Sequence, residues 1–166
     1  MSTSSTRSPG IGDFDFLVGT WDVTNRRLVA PLTGSTEWDE FPATAVCHGT
    51  LFGGAANLDE IVFPTKGFTG LTLRLFDPVR AQWSLNWVNS RDGLLQPPVH
   101  GRFDRDGRGE FLGDDTYEGA PMRCRFIWSA ITAESARWEQ AFSTDEGKSW
   151  ETNWTMDFRR AGQVRG

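Results

Sequence analysis

The chain has 166 residues, a net charge of −5 and a pI near 5.0. It is long enough for one domain with a substantial core, and its scattered arginines do not form the basic face of a nucleic-acid-binding protein. The segment MSTSSTRSPG does not resemble a signal peptide, and no apolar run reaches the ~18 residues of a membrane span, so we expect a cytoplasmic protein without membrane contact. Cys47 and Cys124 fit no disulfide or metal-binding motif and favour reduced thiols.

In chain order, the pattern predicts a polar tail over residues 1–12, one helical turn over 13–17, and then short strands separated by turns. A final polar tail is predicted over 161–166. Pro42 interrupts the second strand, and we expect it at a sheet edge or a bulge. The predicted strands are 22–29, 36–48, 57–63, 71–76, 82–89, 99–104, 108–114 and 122–128, followed by the arms 137–142 and 150–158 of a last hairpin.

The turn signals recur roughly every 8–12 residues, and no helical periodicity follows the first turn. This spacing indicates an all-β protein in which consecutive strands pair as antiparallel hairpins. A sheet of about ten strands avoids exposed edges best by closing on itself. We therefore predict a single up-and-down antiparallel β-barrel over residues 13–160.

The last hairpin, RWEQAFSTDEGKSWETNW, is the strongest local signal in the sequence. Trp138 and Gln140 lie two apart on its first arm, and Trp150, Thr152 and Trp154 lie two apart on its second arm. A period of two predicts that each set occupies one strand face. The linking S-x-D-x-G-x-S-W segment resembles an Asp-box, in which Ser and Asp side chains bond the turn backbone. The resemblance implies a structural turn and no particular chemistry.

The segment FDFLVGTWDV carries a Gly-x-Trp motif just after the predicted helical turn. This motif resembles that of the lipocalins and fatty-acid-binding proteins, the calycins. The resemblance implies that Trp21 closes one end of the barrel and that Arg159 or Arg160 packs over it. Together with LRLFDP and the last hairpin, the chain is also similar to a bacterial family of lipocalin-like proteins of unknown function. That family implies a fold and leaves the activity open.

Eight tryptophans and twelve phenylalanines against one tyrosine favour a wide core or a ligand cavity. If the aromatic faces point inward, the barrel would bind an apolar or aromatic small molecule. The rings placed inward by this choice are Trp21, Trp38, Trp83, Trp87, Phe126, Trp128, Trp138, Trp150 and Trp154, with Cys124 beside them. The polar residues sharing those faces are Asn25, Arg27, Glu40, Asn89, Gln140 and Thr152. The predicted ligand-binding residues are Trp38, Trp87, Asn89, Arg125, Trp128, Trp138, Gln140 and Trp154.

An alternative hypothesis is an enzyme on the same barrel, such as an isomerase, cyclase or decarboxylase. His100 and Arg102 share one strand face, with Glu110, Arg123 and Arg125 on the next strands. If that face lined the barrel, His100 would act as the acid–base and Arg102 or Arg125 would hold an anion. The sequence leaves open whether the protein is an enzyme.

Two further alternatives rest on weaker patterns. His48 and His100 are the only histidines, and either would be the axial ligand if the barrel held haem, as barrels of the nitrobindin type do. The glycine-rich motif expected in such barrels after GTW is missing, so we predict no cofactor and no metal. A barrel that packs as a homodimer would instead expose a contiguous apolar strip.

Overall fold

A computed structural model of the chain describes residues 10–162. The predicted tails therefore lie largely outside the described residues. Gly12, at the start of the described range, donates its backbone N–H to the carbonyl of Gly54. The strands are β1 (Gly19–Leu28), β2 (Trp38–Leu51), β3 (Ala56–Phe63), β4 (Phe68–Asp77), β5 (Gln82–Asn89), β6 (Val99–Phe103), β7 (Gly109–Tyr117), β8 (Ala120–Ser129), β9 (Ser135–Ser143) and β10 (Glu151–Arg160).

Each strand pairs with its sequence neighbours, and β1 also pairs with β10, which closes the sheet into a barrel. All ten pairings are antiparallel. Two short 3-10 turns, Asp15–Leu17 and Phe52–Gly54, are the helical elements of the described residues. The all-β, up-and-down barrel that the turn spacing predicted is confirmed, and the helical turn stands at its start. The barrel is compatible with a lipocalin-like fold.

The burial of β1 and β2 follows the alternation of the sequence. In β2, residues 41, 43, 45 and 47 are buried and the residues between them are exposed. Pro42 therefore points outward and lies opposite Thr24 of β1, in a part of β2 that is not yet paired with β3, because the β2–β3 ladder begins at Thr44. The expected edge position of Pro42 is confirmed, because this stretch of β2 is paired on one side only, and the irregularity in β2 falls further along, between His48 and Leu51.

One end of the barrel is closed by the first 3-10 turn and by Arg160. Trp21 donates its indole N–H to the carbonyl of Leu17 at 2.8 Å, and the Arg160 guanidinium lies 4.2 Å from the Trp21 ring centroid. Phe14 fills the space beneath, against Trp83. The structure thus assigns to Arg160 the packing position that the calycin resemblance left open between Arg159 and Arg160.

The last hairpin has the predicted Asp-box turn. Ser143 Oγ accepts the backbone N–H of Gly147 at 2.8 Å, and Asp145 accepts the backbone N–H and the hydroxyl of Ser149. Gly147 has a φ of +90°, which glycine adopts without strain. The turn is therefore fixed by its own side chains.

A β-bulge in β10 changes which residues of the hairpin face the barrel interior. Thr152 lies opposite Ala141, whereas Trp154 lies opposite Gln140, so Asn153 is the extra residue between them. The bulge reverses the alternation, and Thr152 lies on the outer face with Ala141. The prediction that Trp150 and Thr152 share an inner face with Trp154 is therefore wrong.

Candidate functional site

The barrel encloses an inner chamber with a volume of about 80 Å³. The Trp138 ring meets Trp154 edge-on at a centroid distance of 5.6 Å and Phe126 at 5.0 Å. Because these three rings lie on the neighbouring strands β8, β9 and β10, they form one continuous wall. The chamber is lined chiefly by Trp87, Phe126, Trp128, Trp138, Trp154 and Phe158.

A wider vestibule of about 320 Å³ adjoins the chamber. Trp87, Phe126 and Trp154 line both spaces, so the vestibule and the chamber are separated by no more than these side chains. The vestibule wall also carries polar groups, among them Arg27 and Asp115. The two spaces together fall within the range of about 300–1,000 Å³ that is typical of small-molecule sites.

A buried ion pair lies in the chamber wall. Arg74 Nη1 is 2.5 Å from Asp59 Oδ2 and donates to Asn57 Oδ1 at 2.8 Å. Arg74 is 4% exposed and Asp59 is 8% exposed. Opposite charges are tolerated at such burial because each neutralises the other, and removing one leaves an uncompensated buried charge. The wall is thus mainly apolar, and its charged part is one electrically neutral ion pair beside the uncharged Thr72 and Gln140.

Trp154 links the chamber to β1. Its indole N–H donates to Asn25 Oδ1 at 3.0 Å, and the Arg27 guanidinium lies 4.5 Å from its ring centroid. Burial and the nearby charge of Arg91 lower the pKa of Arg27, and Tyr117 acts against them. The ring of Trp154 is therefore held in one orientation between the chamber and the cationic side of the vestibule.

Six of the predicted ligand-binding residues lie at these two spaces. Gln140 lines both and donates to Asn153 Oδ1 at 2.9 Å, and Asn89 lies in the vestibule, where its side chain accepts the backbone N–H of Arg91. The four rings Trp87, Trp128, Trp138 and Trp154 line the chamber.

Two of the predicted ligand-binding residues lie outside the chamber. Trp38 lies on the outer face of β2, where the Arg26 guanidinium is 5.4 Å from its ring centroid. The predicted inward orientation of Trp38 and Glu40 is corrected, because Phe41, Ala43 and Ala45 set the opposite parity. Arg125 lies on the outer face of β8 over the ring of Trp150, at 4.6 Å.

The residues of the enzyme hypothesis do not meet in the barrel. His100 and Arg102 are exposed on the outer face of β6, while Val99 is buried and Gly101 lies between them on the inner face. A catalytic role for His100 and Arg102 remains a prediction, and neither residue lines the chamber or the vestibule. His48 is exposed on β2, so neither histidine reaches the chamber in which a haem would have to lie.

The ion pair between Arg74 and Asp59 was not found by sequence reasoning. The segment Leu71-Thr72-Leu73-Arg74-Leu75 suggests that the leucines face the core, but the leucines lie on the outer face, with Leu71 39% exposed. Thr72 and Arg74 line the chamber instead. The available signal was Asn57-x-Asp59 on the neighbouring strand, because Asn57 pairs with Arg74 in register.

The two cysteines are buried free thiols. Burial raises the pKa of Cys47 to about 11, against a smaller lowering by Arg74, and burial raises the pKa of Cys124 to about 12. Both are therefore protonated at neutral pH, and neither has the lowered pKa of a nucleophilic thiol.

A scan against protein-family models and a search of curated proteins found no match for this chain. Between Gly10 and Gly162 no helix is long and apolar enough to cross a membrane. In the same range, no group of three or more His, Cys, Asp or Glu side chains is placed to hold a metal ion. The site is thus defined by its geometry, as an aromatic chamber inside a closed ten-stranded barrel.

Proposed function

We propose that the protein binds an apolar or aromatic small molecule in the inner chamber, with the vestibule as the way in. The observation that carries the proposal is the wall of four tryptophan rings around a space that its own side chains leave open. Rings in a dry core would interdigitate to close packing. Here they line a space that opens to one end of the barrel, as in barrels that hold one small ligand.

The charges around the site favour binding over catalysis. The ion pair in the chamber wall is internally neutralised, the two thiols are protonated at neutral pH, and both histidines are on the outer surface. None of these groups meets a chamber ligand as a free acid, base or nucleophile. Affinity would arise from burial of the ligand's apolar surface, at about 25 cal/mol per Å².

The proposal is tested by filling the chamber. Thr72 lines the chamber, and its neighbour Leu71 lies on the outer face of the same strand. We expect T72F to weaken the binding of ethylbenzene, a small aromatic probe, by at least tenfold, because the new ring occupies the probe's space. Isothermal titration calorimetry measures the affinity.

The matched control is L71F, which adds the same ring on the outer face and should bind ethylbenzene as the wild type does. The melting temperature of each variant shows that the barrel is folded. Failure of the wild-type protein to bind the probe, or equal binding by T72F and wild type, would contradict the proposal.

A further inference from the structure

Two buried N–H groups in the chamber wall have no hydrogen-bond partner among the described residues. They are Nε of Arg74 and Nε1 of Trp128. Arg74 is 4% exposed and Trp128 is 2% exposed, and both line the chamber. A buried donor without a partner loses its hydrogen bonds to water and gains none in return, so native structures rarely keep two side by side without a use.

The two donors belong to adjoining groups. The guanidinium carbon of Arg74 lies 5.7 Å from the ring centroid of Trp128, which places both at the same part of the chamber wall. Two acceptors next to Arg74 are already engaged by other donors. Asn57 Oδ1 accepts Arg74 Nη1 and the Cys47 thiol, and Asp59 Oδ2 accepts Arg74 Nη1.

We infer that these two donors recognise a neutral oxygen acceptor, such as a ketone or other carbonyl oxygen, on the molecule bound in the chamber. This inference rests on the proposed function and deepens it, because it assigns both a chemical class and an orientation. The carbonyl end of the ligand lies against Arg74 and Trp128, and its apolar body lies against Trp87, Trp138 and Trp154.

A neutral acceptor suits this wall better than a carboxylate. The charge of Arg74 is already balanced by Asp59 at 2.5 Å. A ligand carboxylate would bring a second negative charge next to Asp59 in a low-dielectric space, with one cation for two anions. A carbonyl oxygen accepts the free N–H groups without changing the net charge of the site.

Three probes with one aromatic ring and nearly the same shape separate these possibilities: ethylbenzene, acetophenone and benzoate. The variant W128F keeps a ring in the wall and removes the Nε1 donor. We expect W128F to weaken acetophenone binding by about threefold to tenfold, the effect of one hydrogen bond, and to leave ethylbenzene binding within about twofold. Benzoate should bind the wild type at least tenfold more weakly than acetophenone at pH 7.5.

The matched control is W83F. Trp83 is fully buried and its Nε1 also has no partner among the described residues, but its ring packs against Phe14 and Phe76 and does not line the chamber. It should leave the binding of both neutral probes unchanged. A second variant, R74K, keeps a cation for Asp59 and removes the other free donor, so it should reproduce the selective loss of acetophenone binding if W128F does not fold.

The outcomes separate the two claims. Binding of ethylbenzene by the wild type with no selective loss of acetophenone in W128F or R74K would overturn this inference and leave the proposed function in place. Benzoate binding as tightly as acetophenone would also overturn it, in favour of an anion site. If none of the three probes bound the wild type, the proposed function would fail, and the inference with it.

Discussion

At the scale of the residue, Arg160 is the side chain that ties the closed end of the barrel together. It donates from Nε to the carbonyl of Ala133, from Nη1 to that of Val18 and from Nη2 to that of Phe16, at 2.8–2.9 Å. One planar guanidinium thus joins the first 3-10 turn, the residue that precedes β1 and the loop before β9. A lysine has no such fork and cannot replace these contacts.

We therefore expect R160A to lower the free energy of unfolding by about 2–4 kcal/mol, because it removes three hydrogen bonds from a charged donor and the stacking over Trp21. Urea denaturation measures the loss. The control is R159A, since Arg159 is exposed on the outer face and its removal should change stability by no more than about 0.5 kcal/mol. Equal effects of the two substitutions would contradict the role given to Arg160.

At the scale of the element, the Asp-box turn sets the last hairpin. The hydroxyl and backbone N–H of Ser149, followed by the Ser143 hydroxyl, lower the pKa of Asp145 from 3.8 to about 2. Because the folded protein holds the carboxylate in its charged form, the turn stabilises the fold above pH 3.8. This stabilisation is lost as the pH falls from about 3.8 to about 2.

We predict that D145N lowers the melting temperature by a few degrees at pH 7. The difference from the wild type should shrink as the pH is lowered from about 3.8 to about 2, where the wild-type carboxylate is itself protonated. Thermal unfolding followed by circular dichroism across this range measures both effects. E146Q, in the same turn, should leave the melting temperature at pH 7 unchanged, and a D145N difference that is constant with pH would contradict the account.

Sequence reasoning predicted the strands well because turn residues and alternation are local properties. The boundaries of β5, from Gln82 to Asn89, are those that the sequence indicated. Sequence reasoning failed where a single position changes which residues of a strand face the interior. The bulge at Asn153 reverses which residues of β10 face the interior, and no residue type at that position predicts a bulge. The orientation of Trp38 depends on which neighbours it meets across the barrel, which alternation alone does not tell.

The candidate site was predicted as a ring-lined space, and four of the five predicted tryptophans lie together at the chamber, whereas Trp38 lies on the outer face. The polar part was missed, because Arg74 lies among leucines that look like core residues and lie on the outer face. Only the register of β3 with β4, which brings Asn57 opposite Arg74, shows the polar group in the wall. Such pairing is a long-range property of the sheet.

At the scale of the whole molecule, the barrel has one end closed by packed rings and one end that leads into an open chamber. Phe14 and Trp21 close the first end, and the vestibule beside Arg27 and Tyr117 forms the second. Gly70 shows how closely the chamber wall is fitted, because a Cβ atom there would lie 1.8 Å from the Trp87 ring. The shape of the chamber therefore depends on the close packing of the residues around it.

The central claim, that a small aromatic molecule binds inside the barrel, can be read directly from the eight tryptophan indole N–H signals in a ¹H–¹⁵N correlation spectrum. On titration with ethylbenzene, we predict that the signals of Trp87, Trp128, Trp138 and Trp154 shift and saturate together. Those of Trp38 and Trp150, which lie on the outer surface under arginines, should stay in place. Shifts confined to Trp38 and Trp150, or no shifts at all, would contradict the account.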